Sequence, residues 1–559
     1  MEQDFLDIRA PSYSQDDANF LRCLQQSIHQ LPEGNVELPL PFRQKDVWLP
    51  NNRAMAVQRL QGLKKKFEKN YMFHQEYKEQ IEIMLRQGDA EEVPEDEVDN
   101  HSWYIPHHRV IHPKKQKLRV VFDCSARYGG QSLNDELLPG PDLLNSLVGV
   151  ICRFRLDKVA ICCDIERMFY CFSVNPEHRN FLRFLWWPDG DWRKEPKSFR
   201  MTKHIFGARS SPGVANFALR HVASSSAVSE EVRDFICSNF YVDDGLASFD
   251  DPMKAQRLIC ETRTTCGMAN IRLHKFNCND PSVLEVVPES ERSNAGIVNI
   301  ERVLGVEWDL VSDELCYRIT LSDRPVTRRG ILSCIASIYD PLGLISPFVF
   351  IGKRILQDML LERKGWDESL SEDMLARWEQ WRHSASDLNK IRVSRCFKGG
   401  VENAADVELI CFSDASQIGY GHCSYVRAVD NKGNVTVSLA MAKSRIAPSK
   451  VKTIPRLELQ AAVLSTEVSS CLNKEMNAIK RTCYFTDSQI VLAYLQNQSK
   501  RFHVYVANRV SRIQESTDVT HWHYVPSAQN PADHASRGLF PRDLMTSNWF
   551  CGTRIFKTD

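Results

Sequence analysis

Two adjacent aspartates, Asp243 and Asp244, stand in the stretch SNFYVDDGLASFD at 238–250. Apolar and aromatic residues flank them, with Phe235, Ile236, Phe240 and Val242 before and Leu246 and Phe249 after. That pattern predicts two short strands around an Asp-Asp-Gly turn. Carboxylates this close raise one another's pKa unless a cation or solvent compensates, so a rigid tip holding both suits metal binding. Asp and Gly are also ordinary turn residues, and taken alone the four letters read as well as a solvated turn. A third acid, Asp164, ends the apolar run VAICCD at 159–164, at the end of an expected strand, with Phe169 five residues on. An isolated acid after a strand is usually a helix cap. Together, the three carboxylates are what a pair of Mg²⁺ ions needs to clamp a phosphoryl group during in-line displacement.

A second set lies downstream. Asp414 in CFSDASQIGYG ends a short strand before a Gly-containing turn, and Glu458 in PRLELQAAVLS falls on a helix opened by Pro455. Asp487 in CYFTDSQIVLAYL ends another strand, and Asp533 lies in NPADHASRG. Each has an innocent role: Asp487 could cap the next helix, Asp414 could shape a turn, and Asp533 could follow Asn-Pro at a helix start. All four serving such roles at once is less expected than any one of them.

Elements able to position these acids are visible in the pattern. Residues 1–95 are mainly helical, notably NRAMAVQRLQGLKKKFEKNYMFHQEYKEQIEIMLRQG, where apolar residues recur every three and four positions. From 96 to 310 the pattern is mixed, with strand-like LRVVFD, KVAICCDI, NFLRFLWW and VLGVEWDL. Residues 311–402 turn helical again, in RRGILSCIASIYD and DMLARWEQWRHSASDL. A new α/β pattern runs over 403–545 and leaves a tail at 546–559. A chain of 559 residues exceeds one core, so several domains are expected. No apolar run reaches the length of a membrane span. The start, MEQDFLDIRAP, lacks a basic segment followed by an apolar one, so an intracellular site is expected.

The 18 cysteines form no CxxC pair and no zinc spacing, which suits reduced thiols. Lys+Arg and Asp+Glu are both 71, so net charge makes no case for a polyanionic partner and only local clusters can. The acidic run EEVPEDEVD at 91–99 reads as a solvated loop, whereas HHRVIHPKKQKLR at 107–119 carries Arg109, Lys114, Lys115, Lys117 and Arg119 without an acid. Standing just before a strand, that basic run slightly favours a phosphate-facing role over another solvated loop.

VAICCDIERMF, HIFGARSSPGVANF and FYVDD occur in the order and approximate spacing of the palm motifs of reverse transcriptases. More narrowly, YIPHHRV, LRVVFDCSA, LNDELLPGPDLL and SIYDPLGLISP resemble the polymerase region of Pao/BEL long-terminal-repeat retrotransposons, over roughly residues 40–545. The resemblance implies an α+β right-hand polymerase of fingers, palm and thumb, followed by an α/β RNase H-like domain. The fingers and palm would occupy 96–310, the thumb or connection 311–402, and the RNase H-like domain 403–545.

By the same resemblance, Asp164 and Asp243 are the main metal ligands of the palm, with Asp244 beside them. Phe169 matches the aromatic residue that excludes a nucleotide 2′-hydroxyl, with an ordinary core role as the alternative. Arg119, with Lys114, Lys115 or Lys117, resembles the finger group that grips the triphosphate, where Arg offers a forked donor array and Lys a point charge. Lys275 in LHKFN is similar to the lysine that protonates pyrophosphate, or is a surface lysine, and VLGVEWD resembles the hairpin that holds the primer end. Asp414, Glu458, Asp487 and Asp533 resemble the D-E-D-D set of RNase H, which binds two divalent ions and hydrolyses RNA in a hybrid.

The implied cofactor is Mg²⁺, two ions per site, or Mn²⁺ in its place. The implied partners are an RNA template, a DNA primer, an RNA–DNA hybrid and deoxynucleoside triphosphates, with no membrane, inside a larger Gag-Pol type polyprotein. The implied location is the cytoplasm, in a virus-like particle, or the nucleus.

Departures from the pattern are specific. Phe206 stands where many retroviral polymerases carry glutamine before the motif glycine, although Gly207, Ser211 and Pro212 keep the tight-turn character. Ala528 falls near the place of a mobile histidine in many RNase H domains, and His523 and His534 read as surface or packing residues. A decayed copy that binds nucleic acid without copying it is the main alternative, opposed by acids at all seven metal positions. Aspartic protease chemistry needs an Asp-Thr-Gly or Asp-Ser-Gly loop, and neither tripeptide occurs. No zinc-binding set of an integrase is visible.

Overall fold

A computed structural model describes residues 13–94, 97, 102–111, 118–225, 228–293, 300–363, 365–399, 406–449 and 452–553. The chain divides into two units, the first comprising 1–144, 164–238 and 260–273, the second 145–163, 239–259 and 274–559. Among the described residues no helix is long and apolar enough to cross a membrane. All 18 cysteines are free and most are buried, as reduced thiols should be.

In the first unit the N-terminal helical stretch is two helices, Arg53–Lys69 and Tyr71–Arg86. They part at Asn70, whose side chain accepts from Phe73 N at 3.0 Å and caps the second. Their buried faces, with Phe67, Phe73 and Tyr77, pack on a sheet in which Trp186 stacks on Tyr77 at 5.5 Å. A hairpin of His107–Ile111 and Leu118–Phe122 carries Arg119 opposite Val110. Helix Glu230–Ser238 also belongs here, and it corrects the expected hairpin, because Phe235 and Ile236 are its buried face rather than part of a strand. Val232, Phe235 and Ile236 recur at three and four residues, the helical spacing.

Two sheets carry the predicted acids: a four-stranded one, mostly in the second unit but with Asp164, Ile165 and Leu273 in the first, and a five-stranded one wholly in the second. The first is built around helix α1 (Leu147–Phe154) and strands β1 (Val159–Ile165), β2 (Phe240–Tyr241), β3 (Asp244–Phe249) and β4 (Leu273–Cys278), in the order β2-β3-β1-β4. Pairing of Tyr241 with Asp244 and Phe240 with Gly245 makes the turn Val242-Asp243, not Asp-Asp-Gly. Val242 has φ +58°, a left-handed conformation that a β-branched residue adopts only under constraint.

The other sheet has five strands: β5 (Asp406–Ala415), β6 (Gly419–Val429), β7 (Val435–Ile446), β8 (Arg481–Thr486) and β9 (Trp522–Tyr524). Its order is β7-β6-β5-β8-β9, antiparallel through β5 and parallel beyond it. Helix α2 (Ile454–Glu475) lies on it, burying Leu459, Ala462, Val463 and Leu472, with Ala461, Ser465 and Ser469 small enough for close approach. Helices α3 (Gln489–Gln496), α4 (Val504–Ser516) and α5 (Ala532–Arg537) complete this part. Between the two sheets in sequence, Phe348, Trp378 and Trp381 stack at 4.7 and 4.9 Å in a helical segment. There Arg395, fully buried, joins Asp313 at 2.6 Å and donates to Phe154 O at 2.6 Å.

Candidate active site

The five-stranded sheet brings its acids to one end, where the parallel pairing of two strands stops. Ser413 on β5 and Thr486 on β8 are the last pair in parallel register, so the next residues, Asp414 still within β5 and Asp487 just past β8, follow from neighbouring positions at that end. Opposite Asp414 across the antiparallel pair is Gly421. An added Cβ at Gly421 would collide with Ala535, so the glycine lets α5 settle on β6 beside Asp414. Buried Asn530 fixes the start of that helix by donating to Ser413 O at 3.1 Å and accepting from Ala532 N at 3.1 Å. Asp533 follows in the first turn of α5, and Glu458 lies near the start of α2.

Each carboxylate has a donor. Ser536 donates to Asp414 Oδ2, Ser488 to Glu458 Oε2 at 2.6 Å and Ser527 to Asp487 Oδ2 at 2.6 Å. Arg537 Nε meets Asp533 Oδ1 at 2.5 Å. None of these four partners was singled out in the sequence. Only Arg537, one turn after Asp533, carries a local signal, since the acids held by Ser488, Ser527 and Ser536 lie 30, 40 and 122 residues away.

Charge crowding is expressed in the titration of the buried members. Burial pushes Asp414 up to about 7, Asp487 and Asp533 add to the rise, and the Ser536 hydroxyl and Arg537 oppose it. Burial also raises Glu458, with Asp487 adding and Ser488 opposing. Among the described residues no three His, Cys, Asp or Glu side chains form a ready-made metal cluster. The four carboxylates are nevertheless an all-oxygen donor set whose mutual repulsion a divalent cation would relieve, and that chemistry fits Mg²⁺.

Histidines near this end serve packing. His523 pairs with Phe485 in register, its ring 5.3 Å away, and burial lowers its pKa. His534 is hydrogen-bonded to Asn548 Oδ1 at 2.9 Å. Ala528 lies in a short 3₁₀ turn, Ser527–Gln529.

This segment has a family counterpart. Residues 327–488 match the Pao retrotransposon-like RNaseH-like domain. The match contains Asp414, Glu458 and Asp487 and ends before Asp533, and it upholds the resemblance to a Pao/BEL-type Pol region. No curated protein gives a match. Among solved structures, the foamy viral protease-reverse transcriptase dRH in complex with double-stranded DNA is similar at 14% identity and TM-score 0.51, over 79% of this chain and 68% of that one. The foamy viral enzyme with double-stranded DNA matches at 14% identity and TM-score 0.49, over 89% and 87%. With an RNA/DNA hybrid it matches at 13% and 0.48, over 80% and 52%. The first of these shows a common fold, an α+β architecture like that of a reverse transcriptase, with an RNase H-like domain toward the C-terminus.

The remaining predicted site residues are placed as follows. Asp243 closes the hairpin turn, Asp244 opens β3, and both are half-buried. Gly245 lies against Cys163, where an added Cβ would come within 3.0 Å of Sγ, and Asp164 is the residue after Cys163 in β1. Lys275 is exposed on β4, with φ +52°. In the primer-hairpin counterpart, strands Ile300–Val303 and Val306–Asp309 join at Leu304-Gly305, braced by Tyr339 donating to Leu304 O at 2.7 Å. In the first unit, Phe169 is buried and meets exposed Phe206 edge-on, 4.4 Å between centroids. Gly207 has φ +103° with Phe122 O where a Cβ would stand, so only glycine fits. Arg119 is exposed on its hairpin, whereas Lys114, Lys115 and Lys117 lie outside the described residues.

Proposed function

We propose that this chain is the polymerase and nuclease segment of a retrotransposon Pol, copying RNA into DNA and degrading RNA in the resulting hybrid. The observation that carries the reading is the convergence of Asp414 and Asp487 where the parallel pairing of two adjacent strands stops, with Asp487 and Asp533 acting electrostatically on Asp414 and Asp487 on Glu458.

In the nuclease, Asp414, Glu458, Asp487 and Asp533 are the groups that would hold Mg²⁺, or Mn²⁺ in its place. When bound, the ions supply charge stabilisation at the phosphate and a water acidic enough to attack it. The chain's own part is to hold the acids before loading. Ser536, Ser488 and Ser527 each orient one carboxylate, and Arg537 holds Asp533. Burial raises Asp414 toward neutrality, so it is a group whose proton a bound cation would displace. Hybrid is recognised over DNA duplex by 2′-hydroxyl and shape contacts.

In the polymerase, Asp164 near the end of β1 and Asp243 and Asp244 of the hairpin are the groups that would hold ions at the primer end. The contact of Gly245 with Cys163, each adjacent to an acid, supports that assignment. Phe169 limits the sugar pocket, Arg119 and Lys117 grip the triphosphate, and Lys275 donates a proton to the leaving pyrophosphate. Deoxynucleoside triphosphates, an RNA template and a DNA primer are the substrates, and a polyprotein is the source.

The test is cleavage of a labelled RNA–DNA hybrid beside duplex DNA and duplex RNA, with Mg²⁺. Selective loss of the RNA strand of the hybrid supports the reading, and no Mg²⁺-dependent cleavage of it by the folded chain refutes it.

A further inference from the structure

The helix that carries Glu458 has a second charged end. Glu475 is the last residue of α2, seventeen positions after Glu458, which at 1.5 Å per residue places it about 25 Å along the rod. There it forms an ion pair with Arg153 of α1, and the two side chains are only 18% and 16% exposed. Gly149, one turn earlier on α1, would drive a Cβ into the Glu475 carboxylate. Glycine weakens a helix, and here it opens the space that the ion pair fills.

Arg153 does not stop at Glu475. Its Nε donates to Asn239 Oδ1 at 3.1 Å. Asn239 stands at the base of the β2–β3 hairpin, where its side chain donates to Leu246 O at 2.8 Å and its carbonyl accepts from Leu246 N at 3.0 Å. On the same side, Ser248 Oγ donates to Arg153 O at 2.7 Å and Asn145 donates to Phe240 O at 2.7 Å. The hairpin that presents Asp243 and Asp244 is thus held at its base by α1, and α1 is held by the end of α2.

We propose that Arg153 is a positioning residue for the hairpin, and that the Glu475–Arg153–Asn239 chain makes the Glu458 helix the support on which the Asp243–Asp244 tip rests. The proposal rests on reading that tip as the polymerase site. Removing the Glu475 carboxylate loosens a partly buried guanidinium and, through it, the hold on Asn239. The left-handed Val242 next to the tip raises the demand for external support, because its conformation is maintained only by what surrounds it. Helix α2 itself is secured by the sheet, so the nuclease end keeps its geometry when the clasp opens.

The experiment uses the full chain with Glu475→Gln, Arg153→Gln and the exchanged pair Arg153→Glu with Glu475→Arg. Hydrogen exchange across 239–249 is read beside steady-state primer extension and hybrid cleavage. The single variants are expected to lose protection at the Leu246 amide, to lower kcat for extension about tenfold at unchanged KM for nucleotide, and to keep hybrid cleavage within about twofold. The exchanged pair restores protection and kcat. Unchanged Leu246 protection in both single variants overturns the proposal whether or not the chain polymerises. Loss of protection together with a wild-type lacking primer extension leaves the clasp standing and sinks the polymerase reading instead. Equal loss of protection across α2 and the hairpin also overturns it, since the residue would then be holding up the whole unit.

Discussion

Ser488 binds two partners that belong to different helices: its hydroxyl donates to Glu458 Oε2 at 2.6 Å and accepts from Val491 N at 3.2 Å. It therefore caps α3 and fixes the acid of α2 at once, with Asp487 beside it in the chain. Ser488→Ala removes both bonds. The lost cap costs about 1 kcal/mol in chemical denaturation. Glu458, freed from a bond that favours its ionised form, rises further in pKa, so the acid limb of the hybrid-cleavage profile moves to higher pH. A profile superimposed on wild type would show that Ser488 has no part in the site.

Asp414 gives a stability prediction with a definite sign. Its folded pKa of about 7 lies above the ordinary 3.8, so the folded chain holds a proton that the unfolded chain has released between those values. Stability falls as pH rises through that window and levels off above it. Asp414→Asn removes the loss and is expected to raise the melting temperature relative to wild type, with a gap that opens from pH 4 to 7, by up to a few kcal/mol. Mg²⁺ narrows the gap by stabilising wild type, which calorimetry with and without the ion measures. A gap independent of pH contradicts the burial argument.

Gly207 supplies a backbone prediction in the first unit. Gly207→Ala puts a methyl group on the Phe122 carbonyl at φ +103°, and roughly 2–3 kcal/mol of stability is expected to go, read by thermal denaturation. A wild-type melting curve would show that the turn is free to move.

Much of the nuclease site was legible because its determinants are local. An apolar run ending at Asp414, another ending at Asp487, and Pro455 opening a helix that reaches Glu458 are patterns confined to a few residues each. The serines that hold these acids were not legible, because a hydroxyl's partner 30 or 40 residues away leaves no periodicity behind. The hairpin failed for a different reason. The run from Phe235 to Val242 mixes a helical spacing with a short strand, and the eye joins them across Ser238 and Asn239. The sequence pattern makes Gly245 a turn residue, yet its place is set by Cys163 and the Phe240 ring packed against it. Arg153 and Glu475, 322 positions apart, carry no sequence signal at all.

The central claim is that two carboxylate sets in one chain serve two separate reactions, and paired single substitutions test it most directly. Asp487→Asn and Asp243→Asn are compared with wild type in Mg²⁺, each on a labelled RNA–DNA hybrid and on a primed RNA template. Asp487→Asn is expected to lose hybrid cleavage by roughly a hundredfold or more while extending the primer normally, and Asp243→Asn to do the reverse. Primer extension by Asp243→Asn at the wild-type rate, or hybrid cleavage by Asp487→Asn at the wild-type rate, contradicts the account.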